Sequence, residues 1–160
     1  MRLPRNVNDV DVAMMRRAIA LADEAAAMGE VPVGAVVYRG EEIIAEAFNL
    51  RESDNDPTAH AELIAMRKAG EVLGEWRLTG CSLAVTLEPC PMCAGALVNA
   101  RIERVIYGAA DPKAGACHTL YKIPGDMRLN HRVEMIRGVL EPECRRQLQS
   151  FFKDRRAKKN

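Results

Sequence analysis

CSLAVTLEPCPMCAGALVNARIERVIYGA, residues 81–109, sets a strand, a helix and a second strand in sequence. CSLAVTL reads as a buried strand. PMCAGALVNAR reads as a helix opened by Pro91, whose fixed φ suits a first helical turn, and RVIYGA reads as another strand. At the junction between the first strand and the helix stands Cys90-Pro91-Met92-Cys93. On a helix beginning near Pro91, both sulfurs can point to one side of the first turn. A metal could bridge them there. The unpaired N–H groups and the dipole at a helix N-terminus stabilise thiolates, which are the metal-binding form.

Outward from this stretch the punctuation is regular. VAMMRRAIALADEAAAMGE is rich in helix formers, with Asp9 or Asp11 as its expected N-cap and Gly29 placed to end it. VPVGAVVYRGEEIIAEAF reads as two strands about an Arg39-Gly40 turn, and NLRESDNDPT as a loop. AHAELIAMRKAGEVLG is a second helix, HRVEMIRGVL a fifth strand, and PECRRQLQSFFKDRRAKK a basic helix opening at Pro142. The order α-β-β-α-β-α-β-β-α implies an α/β fold with a mixed five-stranded sheet covered on both faces.

The chain of 160 residues, 48% hydrophobic, suits a single domain spanning 1–160 with a sizeable core. No apolar run approaches the ~18 residues of a membrane span, and MRLPRNVNDVDV lacks the apolar stretch of a signal peptide. A cytoplasmic location is therefore expected. Five cysteines, an odd number in such a chain, favour metal binding or catalysis over a disulfide framework. Net charge is +1, so any nucleic-acid partner must be held by a local patch.

Upstream, TAHAE places His60 and Glu62 at the start of the second helix. Two positions apart, they would diverge in mid-helix, but at a helix end both can address a site beyond the terminus. One imidazole and two thiolates from two converging helix starts would leave a fourth tetrahedral position open to water, as in a catalytic zinc site. Read alone, Cys-x-x-Cys is equally a redox pair or half of a zinc ribbon, and a histidine near a helix start is ordinarily a cap or a surface residue. A ribbon needs a second cysteine pair, which is absent, and a redox pair leaves His-Ala-Glu unexplained. H-x-E followed by P-C-x-x-C is the signature of zinc-dependent base deaminases.

These residues, together with EVPVGAVV (30–37), DPTAHAE (56–62), VTLEPCPMCAGAL (85–97), DPKAGA (111–116), NHRVE (130–134) and SFFKDRR (150–156), resemble the bacterial tRNA-specific adenosine deaminases of the TadA type. The resemblance runs in order from about residue 12 to residue 157. It implies a three-layer α/β/α cytidine-deaminase-like fold, a homodimer, and conversion of the wobble adenosine of an arginine tRNA anticodon to inosine. It also implies one Zn2+ per chain, held by His60, Cys90 and Cys93, with Glu62 as the proton shuttle.

Asn49 matches the family asparagine that hydrogen-bonds the purine edge; read as plain sequence, it turns a strand into a loop. Backbone around Val31 to Gly34 is expected to line the base pocket, with Gly34 permitting close approach. FFKDRRAKKN carries five basic residues and one acidic residue behind two adjacent phenylalanines, in a chain only 4% aromatic. The family's equivalent segment contacts the anticodon stem-loop, which carries that role to Phe152, Arg155 and Arg156 in the basic helix 142–160. Asp111 and Lys113 match family positions near the RNA, though alone they read as an ordinary turn.

Cys117 and His118 stand where the family commonly has small residues, and are read as part of a substrate-side loop rather than as further zinc ligands. Cys81 and Cys144 read as buried thiols at element starts, Trp76 and the methionines as core or dimer packing, and His131 as ordering a loop near the site or, equally, as a surface residue. Two other functions share much of this pattern. A deaminase of a free nucleobase or nucleoside would keep the zinc residues without the basic aromatic C-terminus. A non-catalytic zinc-stabilised RNA-binding subunit would not need Glu62.

Overall fold

The computed structural model describes residues 3–159. Met1, Arg2 and Asn160, and with Asn160 the last position of the expected basic helix, lie outside the described residues. Helix α1 (Asp9–Ala27) leads into β1 (Gly34–Arg39) and β2 (Glu42–Phe48), then α2 (Ala61–Leu73), β3 (Ser82–Leu87), α3 (Pro91–Asn99), β4 (Arg104–Ala109), a 3-10 turn at Ile123–Gly125, β5 (Glu134–Ile136) and α4 (Glu141–Lys159). The sheet order is β2-β1-β3-β4-β5. β1 runs antiparallel to β2 and β3, while β3, β4 and β5 are parallel. This is the expected mixed five-stranded sheet of a three-layer α/β/α fold.

Alternation along the strands divides the core in two. One face of the sheet packs Val37, Leu83, Val85, Val105 and Tyr107 with Ala61, Ala65 and Ala69 of α2 and Leu97 of α3. The other packs Val36, Ala84 and Ile106 with Met14, Met15, Ala18 and Leu21 of α1 and with Cys144 of α4. Many contacts on the helix side are alanines, which let the helices lie close to the sheet. Gly34 marks the tightest approach, because a Cβ there would collide with the Ala18 carbonyl of α1. Its smallness therefore serves helix–sheet packing and not the pocket that the sequence reading assigned it to.

Several local readings shift by a residue or two. The N-cap of α1 is Asn8. Its side chain accepts from the Asp11 amide, and Asp11 accepts from the Asn8 amide, so Asp11 is the third residue of a capping box. Asp11 is also buried and takes hydrogen bonds from the Tyr38 hydroxyl (2.6 Å) and from Arg104 (3.0 and 2.9 Å), which ties α1 to β1 and β4. The fifth strand is shorter than HRVEMIRGVL suggested. Gly138 and Leu140 take positive φ (79° and 54°), turning the chain off the sheet and into α4. Met14, Met15 and Met66 join the core, whereas Trp76 is 62% exposed, with Arg77 and Arg101 over its ring. Cys81 and Cys144 are buried as expected.

Candidate active site and metal centre

α2 and α3 begin beside one another, and the residue at each start faces a common point. His60 is the N-cap of α2 and Cys90 the N-cap of α3. Both adopt extended backbone, and neither spends its side chain on capping its own helix. Cys93, one turn into α3, is fully buried against them. The His60 Nδ1 lies 3.6 Å from each sulfur, and the ligand atoms of the three residues all lie within 4.8 Å of one another. In a tetrahedral centre with Zn–S of about 2.3 Å and Zn–N of about 2.0–2.1 Å, nitrogen and sulfur are separated by about 3.6 Å. The spacing and the donor set therefore fit one zinc ion per chain. Among the described residues, no other group of histidines, cysteines and carboxylates has this arrangement, and Cys117 and His118 are not part of it.

The electrostatics suit a cation. A hydrogen bond from the Cys93 thiol, with His60 alongside, pulls Cys90 down to about 4 despite its partial burial. Cys93 moves the other way, because Cys90 and burial hold its proton, so the pair readily presents a thiolate. The hydrogen bond with Cys90 raises His60. Glu62, in the first turn of α2, is 4% exposed, and burial raises its carboxyl above the ordinary range.

A cavity of about 200 Å³ opens over these groups. That is below the ~300–1,000 Å³ of pockets that enclose drug-sized ligands, and suits a single flat ring system. Val31, Val33 and Asn49 form one wall, Asp111 and Ala114 another, and His60, Glu62 and Cys90 the floor. Larger clefts lie beneath Trp76 and between α1 and α4, but neither contains a metal-ligating set.

Of the residues read from sequence, His60, Glu62, Cys90, Cys93, Asn49, Val31 and Asp111 converge here. The Asn49 Nδ2 donates to the Val31 carbonyl at 3.4 Å and its Oδ1 accepts from the Arg51 amide at 3.3 Å, so the side chain is both wall and loop anchor. The Asp111 Oδ1 accepts the amides of Lys113 and Ala114, turning the loop. Lys113 itself is exposed and does not line the cavity.

Phe152, Arg155 and Arg156 lie outside it, exposed on the last turns of α4. Phe151 is partly buried beneath Arg155, whose guanidinium carbon sits 5.7 Å from the ring centre, and Phe152, edge-on to Phe151 at 5.4 Å between ring centres, is the more exposed of the two. The α1–α4 groove includes Phe151, Arg155 and Gly29, two residues before Val31, so α4 runs past the cavity end of α1. Of the two readings of His131, ordering a loop near the site does not fit its place, since it lies away from the cavity. It bonds the Ile102 carbonyl at 2.7 Å, and lines a separate cleft with Arg77 and Arg101.

Two buried carboxylates escaped the sequence reading. Glu30 accepts the amides of Glu52 and Ser53 from the loop after β2. Glu88 accepts from the loop after β4. Their partners are backbone groups far away in the chain, a role that no residue spacing announces. The one local signal is a glutamate at the end of an apolar strand, before Pro89.

The zinc-binding region of the cytidine and deoxycytidylate deaminases matches residues 8–109. A tRNA-specific adenosine deaminase from Bacillus subtilis (strain 168) is 50% identical over 149 residues, 93% of this chain and 92% of that protein. The chain belongs to the tRNA-specific adenosine deaminase family. A structure from a study of A-to-I editing by tRNA A34 deaminases at the wobble position matches with a TM-score of 0.82 and 41% identity, over 85% of this chain and 99% of that one. A guanine deaminase from Bacillus subtilis matches with a TM-score of 0.60 and 44% identity, over 65% of this chain and 66% of that one.

Proposed function

We propose that the whole chain, residues 1–160, acts as one zinc-dependent domain that hydrolytically deaminates adenosine to inosine at the wobble position of a tRNA anticodon, with an arginine tRNA as substrate. The observation that carries this reading is the convergence of His60, Cys90, Cys93 and Glu62 under a cavity sized for one base, in a chain 50% identical along nearly its full length to a tRNA-specific adenosine deaminase.

His60, Cys90 and Cys93 would hold the metal. Zinc supplies a nucleophile at neutral pH by lowering the pKa of bound water to about 7. Glu62 takes the water proton and passes it to N1 of the purine. It then assists departure of the C6 amino group as ammonia, so that adenosine and water become inosine and ammonia. Val31, Val33 and Asn49 flank the base on one side and Asp111 on the other. Phe152, Arg155 and Arg156 reach the anticodon arm, the arginines on phosphates and the phenylalanine on an unpaired base.

No helix among the described residues is long and apolar enough to cross a membrane, and the reaction belongs in the cytoplasm, where the tRNA is. A second copy of the chain covers the α2–α3 cleft, which Met66, Trp76, Ala96 and Ala100 line and where Trp76 is exposed.

The test is to incubate the zinc-loaded protein with an anticodon stem-loop bearing wobble adenosine and, in parallel, with free adenosine, guanine and cytidine. Inosine in the stem-loop with little turnover of the free compounds supports the proposal. Turnover of guanine alone would favour the free-base reading, which the likeness to guanine deaminase keeps in view.

A further inference from the structure

Glu88 follows β3, stands two residues before Cys90 and itself lines the cavity, while its carboxylate is bonded to the loop after β4. It is 2% exposed. Five donors surround it. The Asp111 amide (3.1 Å) and the Thr119 hydroxyl bond Oε1, while the amides of Cys117 (3.1 Å), His118 (2.9 Å) and Thr119 (3.0 Å) bond Oε2. Among the described residues, no lysine or arginine bonds it. Its charge is met wholly by dipoles of one loop, an arrangement in which each lost acceptor strands a buried N–H.

That loop has no helix or strand between Ala109 and Ile123 to hold it. Its remaining backbone bonds are mostly internal, from Gly115 to Asp111, from Leu120 and Tyr121 to Gly115 and from Ile123 to Ala116. Among the described residues, only Ala116 to Pro89, the neighbour of Glu88, and the 2.7 Å side-chain bond between His118 and Tyr107 of β4 tie it to the sheet. Gly115 lies so close to the carboxylate that a Cβ there would collide with it. The residues turned into the cavity from this loop are Asp111 and Ala114. They occupy the same short arc whose two ends Glu88 pins at 111 and 117–119. The facing wall is built alike, with buried Glu30 holding the amides of Glu52 and Ser53 behind Asn49 and Arg51.

We infer that Glu88 is a positioning residue, which fixes the 111–119 loop as one wall of the base-binding cavity and so governs how tightly the substrate base is held rather than the chemical step. This rests on reading the cavity as the deaminase site. A carboxylate is required, because every neighbour is a donor. Glutamine would turn an amino group toward at least one of them and leave an N–H without an acceptor.

Glu88→Gln in the zinc-loaded full chain, beside the parent, provides the test, with zinc content, amide hydrogen exchange, and kcat and KM on the wobble-adenosine stem-loop as readouts. Losing one hydrogen bond to a buried charge should speed exchange of the 111 and 117–119 amides roughly 10–100-fold and raise KM by a similar factor, with kcat within about threefold and one zinc retained. Thr119→Val removes one donor and leaves the carboxylate in place. It should shift exchange and KM the same way by roughly threefold to tenfold, and it carries the test should Glu88→Gln not fold.

Protected loop amides, or faster exchange with unchanged KM, would overturn the inference. So would a fall in kcat that tracks loss of zinc, since Glu88 would then act through Cys90. Failure of the parent to deaminate the stem-loop would sink the function reading instead, and the exchange arm would still decide whether Glu88 holds the loop.

Discussion

Replacing Glu62 by glutamine preserves its size and its place in the first turn of α2 but removes the proton-accepting group. Zinc content, melting temperature and stem-loop affinity should match the parent, while turnover falls by at least ~10²–10⁴-fold, the usual range for a general acid–base group. Activity within a few-fold of the parent would make Glu62 a structural residue of the helix start. The contrast between Glu62 and Glu88 shows what was legible at this scale. His60, Glu62, Cys90 and Cys93 were readable because metal chemistry demands particular residue types at short spacings next to helix starts, and those spacings are printed in the chain. Glu88 lies inside the same motif, but its partners are amides at 111 and 117–119 whose proximity exists only after folding. Asn49 sits between these cases. Its position was readable, whereas its bonds to Val31 and Arg51 were not.

At the scale of elements, the capping box of α1 is tied into the sheet by Asp11, Tyr38 and Arg104. Burial would raise the Asp11 carboxyl, but Arg104, Tyr38 and the Asn8 backbone outweigh it and hold the pKa below 3.8. Since folding lowers this pKa, the unfolded chain binds the proton more readily. The stabilisation is therefore complete at neutral pH and disappears as pH falls through the folded value. Asp11→Asn should cost about 3 kcal/mol at neutral pH, and its deficit in melting temperature against the parent should shrink as the solution is acidified below about pH 4. A deficit independent of pH would mean that the lost contact is one of packing.

α4 carries a separate prediction. Arg155→Ala and Arg156→Ala should each reduce the logarithmic salt slope of stem-loop binding by about 0.7–0.9, while Phe152→Ala should weaken binding by ~1–3 kcal/mol with little change in slope. Unchanged binding by all three at every salt concentration would remove α4 from the RNA interface. The four helices and five strands among the described residues were readable from periodicity and turn residues. The length of β5 was not, because a single glycine, Gly138, inside an apolar run does not by itself announce a turn, and the positive φ of Leu140 has no sequence signature in a residue other than glycine.

Across the whole molecule, the sheet brings two helix starts to one end, where the loops after β2 and β4 close around them. The succession of helices and strands implied a mixed sheet, but the order β2-β1-β3-β4-β5 depends on long-range pairing that local pattern does not encode. The same architecture makes the account depend on the metal, since three residues from two helices meet only at that point. The most direct measurement is inosine formation at the wobble position of an anticodon stem-loop, followed as zinc is stripped by a chelator and then restored. Inosine should form with one zinc per chain, cease as the metal is removed, and return with its replacement. Undiminished conversion by fully zinc-free protein, or no inosine from protein carrying a full complement of zinc, would contradict the account.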